Sequence, residues 1–127
     1  DKDFVVETEF AALPPLMLDG EQFGKVVTNL ALNAREASTG PGGRLRVTTS
    51  RIGNWAVLEA ADNGSGISPD FMARSLFRPF QTTKKNGLGI GMFQSKMIIE
   101  AHGGRISVES APGQGTTFRI HLPIGTA

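Results

Sequence analysis

Asp19-Gly-Glu-Gln-Phe-Gly-Lys-Val-Val-Thr-Asn-Leu-Ala-Leu-Asn-Ala-Arg-Glu-Ala37 is the most strongly periodic stretch of the chain. Phe23, Val26, Val27, Leu30, Ala31, Ala34 and Ala37 recur at the three- and four-residue spacing of one helix face. Asp19 followed by Gln22 reads as a capping box at the start, and Gly40-Pro41-Gly42-Gly43 stops the helix. Upstream, Phe4 to Phe10 alternates as a strand does, Leu13-Pro14-Pro15 breaks it, and Leu16 to Leu18 reads as a second short extended piece. Downstream, Leu45 to Ile52 and Trp55 to Ala61 flank Gly53-Asn54, a two-residue hairpin signal. From Ser68 to Asn86 there is little periodicity beyond a short helix near Pro69 to Ala73, and so long an irregular stretch inside one domain is expected to be a mobile functional lid. Gly91 to Ala101 reads as a buried helix stopped by Gly103-Gly104. Two strands follow, Arg105 to Glu109 and Thr116 to Leu122, linked by a Pro112-Gly113 turn and closed by Pro123. These elements predict an α/β sandwich: one mixed, mainly antiparallel sheet with helices packed on one face.

Composition sets the outer limits. The 127 residues suit a single domain, and 39% hydrophobic with 20% charged residues is the balance of a chain that buries a core. A net charge of +1, with basic residues spread along the chain, gives no footprint for nucleic acid or an anionic membrane. The chain has no cysteine, which excludes disulfides, thiolate metal sites and a cysteine nucleophile. A cytoplasmic setting is expected on that basis. No stretch approaches the roughly 20 apolar residues of a membrane span. The start of the chain in a strand suggests a piece of a longer protein.

Four short features carry chemistry. At about 100° per residue, Gln22, Asn29, Asn33 and Glu36 form a polar seam bordering the apolar face of the long helix. Asparagine disfavours helix interiors because its amide competes for backbone hydrogen bonds, so Asn29 and Asn33 need a reason. One reason is an oxygen ligand for Mg²⁺, which takes few protein ligands when phosphates supply the others. The second feature, Asp62-Asn-Gly-Ser-Gly66, follows a strand. Its carboxylate can accept a hydrogen bond from an exocyclic amine such as that of adenine, while Gly64 and Gly66 permit close approach or positive φ. Third, Phe77-Arg-Pro-Phe80 supplies two aromatic anchors, and Thr82, Thr83 and Lys84 supply hydroxyls and an ammonium suited to phosphate. Fourth, Gly87-Leu88-Gly89-Ile90-Gly91 opens a helix, where unpaired N–H groups and the helix dipole favour an anion. The Gly-x-Gly-x-Gly spacing is not the dinucleotide fingerprint, and no Gly-Lys-Ser/Thr makes a P-loop. Taken singly, each feature also has a bland reading: satisfied asparagines, an ordinary turn, a solvated basic loop, a glycine-rich connection.

In this order, Asn29-Leu-Ala-Leu-Asn33-Ala, Asp62-Asn-Gly-Ser-Gly66, Phe77-Arg-Pro-Phe80 and Gly87-Leu-Gly-Ile-Gly91 resemble the asparagine, first glycine, phenylalanine and second glycine boxes of sensor histidine kinase catalytic domains. Glu100-Ala-His-Gly-Gly104 and Gly113-Gln-Gly-Thr-Thr-Phe118 resemble the segments that close such domains, so the similarity covers nearly the whole chain. The resemblance implies the Bergerat ATP-binding fold shared with gyrase, Hsp90 and MutL-type ATPases, with ATP and Mg²⁺ as cofactors. It implies that Asp62 binds the adenine amino group with support from Thr116, that Asn33 ligates Mg²⁺, and that Gly87, Gly89 and Gly91 wrap the phosphates. Lys84 is the candidate for the γ-phosphate.

The resemblance further implies transfer of that phosphoryl group to a histidine on a separate dimerisation domain, with a response regulator downstream. The ATPases of this fold carry a water-activating glutamate where this chain has Asn29, and a neutral amide is no general base. Transfer is therefore expected over hydrolysis. Many histidine kinases place a basic residue where this chain has Glu36, leaving Arg35 as a substitute phosphate contact. Neither His102, at a helix end, nor His121, expected to lie exposed on a terminal strand, has the helical context of a phosphoacceptor. The rival readings are a degenerate nucleotide-binding regulatory module and an ATPase or serine kinase of the same fold.

Overall fold

The structure, a computed structural model, describes residues 4–13, 16, 18–38, 41–74, 76–77 and 91–124. The elements run β1 (Val5–Phe10), α1 (Gly20–Ala37), β2 (Arg44–Ile52), β3 (Trp55–Asp62), α2 (Pro69–Arg74), α3 (Met92–Ala101), β4 (Arg105–Ser110) and β5 (Thr116–Pro123). Among the described residues, five strands form one sheet in the order β1-β2-β3-β5-β4. Only the β1–β2 pair is parallel, so the expected mixed, mainly antiparallel sheet is present.

Strand alternation decides the two faces. In β3 and β5 the residues Ala56, Ala60, Phe118, Ile120 and Leu122 are buried. They meet Val26, Leu30 and Ala34 of α1 and Met92, Ile98 and Ile99 of α3 in one core. On the opposite face, Arg119 Nε lies 2.6 Å from Glu59 Oε2, and its Nη1 pairs with Glu109.

The hairpin turns at Gly53, whose φ of 60° suits glycine, and Ile52 pairs with Trp55 directly across it. Three features depart from the sequence reading. Leu16 and Leu18 belong to no strand. The alternation of β1 does not bury alternate residues: all six are exposed, Phe10 to 63%, because β1 is a sheet edge and α1 packs over β2 and β3. Helix α3 is not buried all round, since Phe93 and Met97 lie on an open face.

The capping box is half replaced. Asp19 Oδ1 accepts from Gln22 N at 3.1 Å, but the Asp19 N–H, which the box would return to Gln22, donates to His102 Nε2 at 3.0 Å. The His102 Nδ1 lies 2.8 Å from Ile98 O, so the ring carries its proton on Nδ1 and accepts on Nε2. His102 is thus the structural cap expected from its position, and it also ties the end of α3 to the start of α1. His121 is not exposed as expected. It is half-buried edge-on to Trp55, its Nδ1 without a hydrogen-bond partner among the described residues. Burial, then the cations of Arg105 and Arg119, hold its pKa below 6.5.

Candidate functional site

Asp62 ends β3 opposite Thr116 of β5. Its Oδ1 accepts from Gly64 N at 2.8 Å. Burial raises the carboxyl above its ordinary 3.8, and the backbone N–H bonds of Gly64 and Thr116 pull the other way. Thr116 is buried, and its Oγ1 lies 2.8 Å from Ser110 Oγ. Ser110 Oγ accepts from Ile67 N at 2.8 Å and donates its one proton to Gly115 O at 2.9 Å, which leaves Thr116 as donor to Ser110. Ser110, at the end of β4, therefore holds Thr116 and the loop after Gly66 in one network. The sequence reading missed it, since a serine ending a strand carries no distinctive pattern.

The glycines of this loop are required by the chain's own packing. A Cβ on Gly64 would lie 2.6 Å from Ala37 O, and one on Gly66, at φ 79°, would lie 2.0 Å from Ala111 O. Ser65 N donates to Ala37 O at 2.9 Å, which pins the loop to the last turn of α1. Asn63 Oδ1 accepts from Arg44 N at 2.8 Å, fixing the loop to the start of β2 as well.

One turn earlier on α1, Asn33 is only 6% exposed. Its Nδ2 donates to Asn29 O at 2.8 Å and to Met92 Sδ at 3.2 Å. Asn29 Nδ2 donates to Gly91 O and to Ser95 Oγ, each at 3.3 Å. The polar seam therefore faces α3 and joins it instead of lying open at the margin of the core. Glu36 is exposed, and Gln22 lies at the opposite end of α1, beside His102. Ser95, buried in α3, is a second residue not foreseen; a small polar residue one turn after Gly91 on the apolar face was the available signal.

The structure thus brings Asp62, Gly64, Gly66, Asn29, Asn33, Gly91 and Thr116 to one edge of the helix layer. Arg78, Pro79, Phe80, Thr82, Thr83, Lys84, Gly87, Leu88, Gly89 and Ile90 lie outside the described residues, as does most of the expected lid. Of the aromatic anchors, Phe77 is half-buried against the core, with Lys96 Nζ 5.6 Å from its ring centre. The deeper anchors are Ile67 and Leu76, at 5% and 1% exposure.

Residues 18–126 match the family of histidine kinase-, DNA gyrase B- and HSP90-like ATPases. The chain is 41% identical over 114 residues to the alginate biosynthesis sensor protein KinB of Pseudomonas aeruginosa, covering 88% of this chain and 19% of that protein. It superposes on the mycobacterial sensor histidine kinase MprB with a TM-score of 0.80 at 29% identity, covering 96% of this chain and 83% of that one. Full-length ShkA, solved in complex with AMPPNP, gives 0.84 at 29% identity, covering 99% of this chain and 27% of that one. The chain therefore spans about a fifth of the length of the curated relative KinB. By family match, relatives and Bergerat architecture together, the chain belongs to the histidine kinase-, DNA gyrase B- and HSP90-like ATPases, as a sensor histidine kinase catalytic domain.

Proposed function

We propose that the chain binds Mg-ATP at the edge where α1, the Asp62 loop and the start of α3 meet, and donates the γ-phosphoryl group to a histidine of a separate dimerisation domain. The observation that carries this reading is Asp62: a half-buried carboxylate at a strand end, held by Gly64 N–H, is oriented to accept from an adenine amino group. Thr116, fixed through Ser110, keeps Asp62 in place. The residues also fit a divalent cation. Asn33 Nδ2 donates to Asn29 O and Met92 Sδ, which fixes the amide, and an amide oxygen is a hard donor of the kind Mg²⁺ takes. Mg²⁺ would neutralise phosphate charge, leaving the protein to orient and screen the transferring group.

The segment Gly87, Leu88, Gly89, Ile90 and Gly91 is assigned to the phosphates, and Thr82, Thr83 and Lys84 to the terminal one, from their sequence. Asn29 is no base, so hydrolysis is not favoured over transfer. AMPPNP in the ShkA complex supports an adenine nucleotide as the ligand. A response regulator is the expected onward acceptor.

The chain mixed with Mg-[γ-³²P]ATP and the dimerisation domain of the same protein should place an acid-labile label on the latter. Binding of ATP without label transfer would refute the catalytic reading and leave a regulatory nucleotide module.

A further inference from the structure

Helix α3 starts without a cap of its own. Gly91 is its N-cap, left-handed at φ 70°, with no side-chain cap hydrogen bond, and no acidic residue lies in the first turn. A serine or aspartate cap would occupy first-turn N–H groups. Here the start of α3 is held from another helix, and through its carbonyl. Gly91 O accepts Ser95 N at 2.9 Å, as the helix requires, and also accepts Asn29 Nδ2 from α1. The second proton of the same amide goes to Ser95 Oγ, one turn into α3. A Cβ on Gly91 would lie 2.3 Å from Asn29 Nδ2, so the amide fills the space that glycine leaves. Asn29 thereby anchors the helix start as a donor, without occupying the first-turn amides that favour an anion.

We propose that Asn29 and Ser95 are a positioning pair that sets affinity for the nucleotide's phosphates by holding Gly91 and the first turn of α3 against α1. This rests on the ATP reading above and gives Asn29 a role other than contact with the reacting atoms. Adenine recognition does not depend on the pair, because the Asp62 loop is pinned to α1 separately through Ser65 N and Ala37 O. Phosphate affinity and adenine affinity should therefore separate.

The test is calorimetric binding of Mg-ATP and of adenosine to the wild-type chain, N29L, S95A and the double variant. Leucine keeps the branched outline of asparagine, with bulkier ends, and removes both donors. S95A removes a single hydroxyl and keeps the helix. Each single variant should weaken ATP binding by about 3- to 10-fold, the scale of one or two net hydrogen bonds, with adenosine binding held within about twofold. The double variant should match N29L, since the bond lost in S95A is already gone. Equal weakening of ATP and adenosine in N29L overturns the positioning role, as does unchanged ATP binding in S95A or a full additional loss in the double variant. A wild-type chain that binds neither ligand overturns the ATP reading and this inference together.

Discussion

Asp62 shows how much one side chain is shaped by its surroundings. At the end of β3 it loses water, and that burial outweighs the two N–H bonds that favour the charged form. The folded chain therefore holds a proton there at a pH where the unfolded chain has released it. Its contribution to stability is fullest below about the ordinary 3.8 and is lost as pH rises through the folded value. D62N should bind ATP at least ~100-fold more weakly, because an amide offers a different pattern of donors and acceptors. At neutral pH its melting temperature should not fall below that of the wild type. As the pH is lowered through the folded pKa of Asp62, the wild type should gain on the variant in thermal melts. A wild type that loses ground to D62N on acidification would contradict burial as the main influence. The acidic residue in Asp-Asn-Gly was legible in the sequence; its burial was not, because that depends on β5 lying alongside.

At the scale of elements, α1 and α3 run antiparallel and are joined at both ends by polar contacts. Asn29 and Asn33 hold the start of α3, and His102 joins its end to the start of α1 through Asp19 N. The heptad-like spacing of α1 was enough to identify the helix, yet its polar seam read as a margin of the core. Only the arrival of α3 turns that seam into a helix–helix joint. H102A removes bonds to Ile98 O and Asp19 N and the edge contact with Phe23. It should cost about 1–2 kcal/mol in urea unfolding, with adenosine binding retained because the Asp62 loop is at the other end of α1. An unchanged urea midpoint would mean that the joint does not couple the helices. His121 was the clearest misreading at this scale: strand alternation correctly put it on the outer face, but Trp55 of the neighbouring strand covers it.

Across the whole molecule, stability is graded by position in the sheet. β3 and β5 lie inside the strand order and under both helices, whereas β1 is an edge with every residue exposed. Opening of an edge strand exposes little apolar surface, so hydrogen exchange should be slowest at Ala60 and Ile120 and about 100-fold or more faster along Val5–Phe10. Equal protection of β1 and β5 would show that the sheet opens only as a unit. The same grading places the proposed nucleotide edge between a firm floor, β3 and β5, and a helix start held by two side chains.

Periodicity, turn glycines and the order of four short boxes were local properties, and they sufficed for the strand and helix inventory apart from the extended piece expected at Leu16 to Leu18, for the Bergerat fold, and for naming Asn33, Asp62 and Thr116 as candidates. What needed tertiary structure was every property that arises between elements: the burial of Asp62 and His121, the anchoring by Leu76, the Ser110 network, and the role of Asn29 against Gly91 and Ser95. Local pattern is written in the spacing of neighbours along the chain. Burial and hydrogen-bond partnership are set by residues tens of positions away, such as Ser95 for Asn29 and Thr116 for Asp62, and no spacing in the sequence encodes which of them will meet.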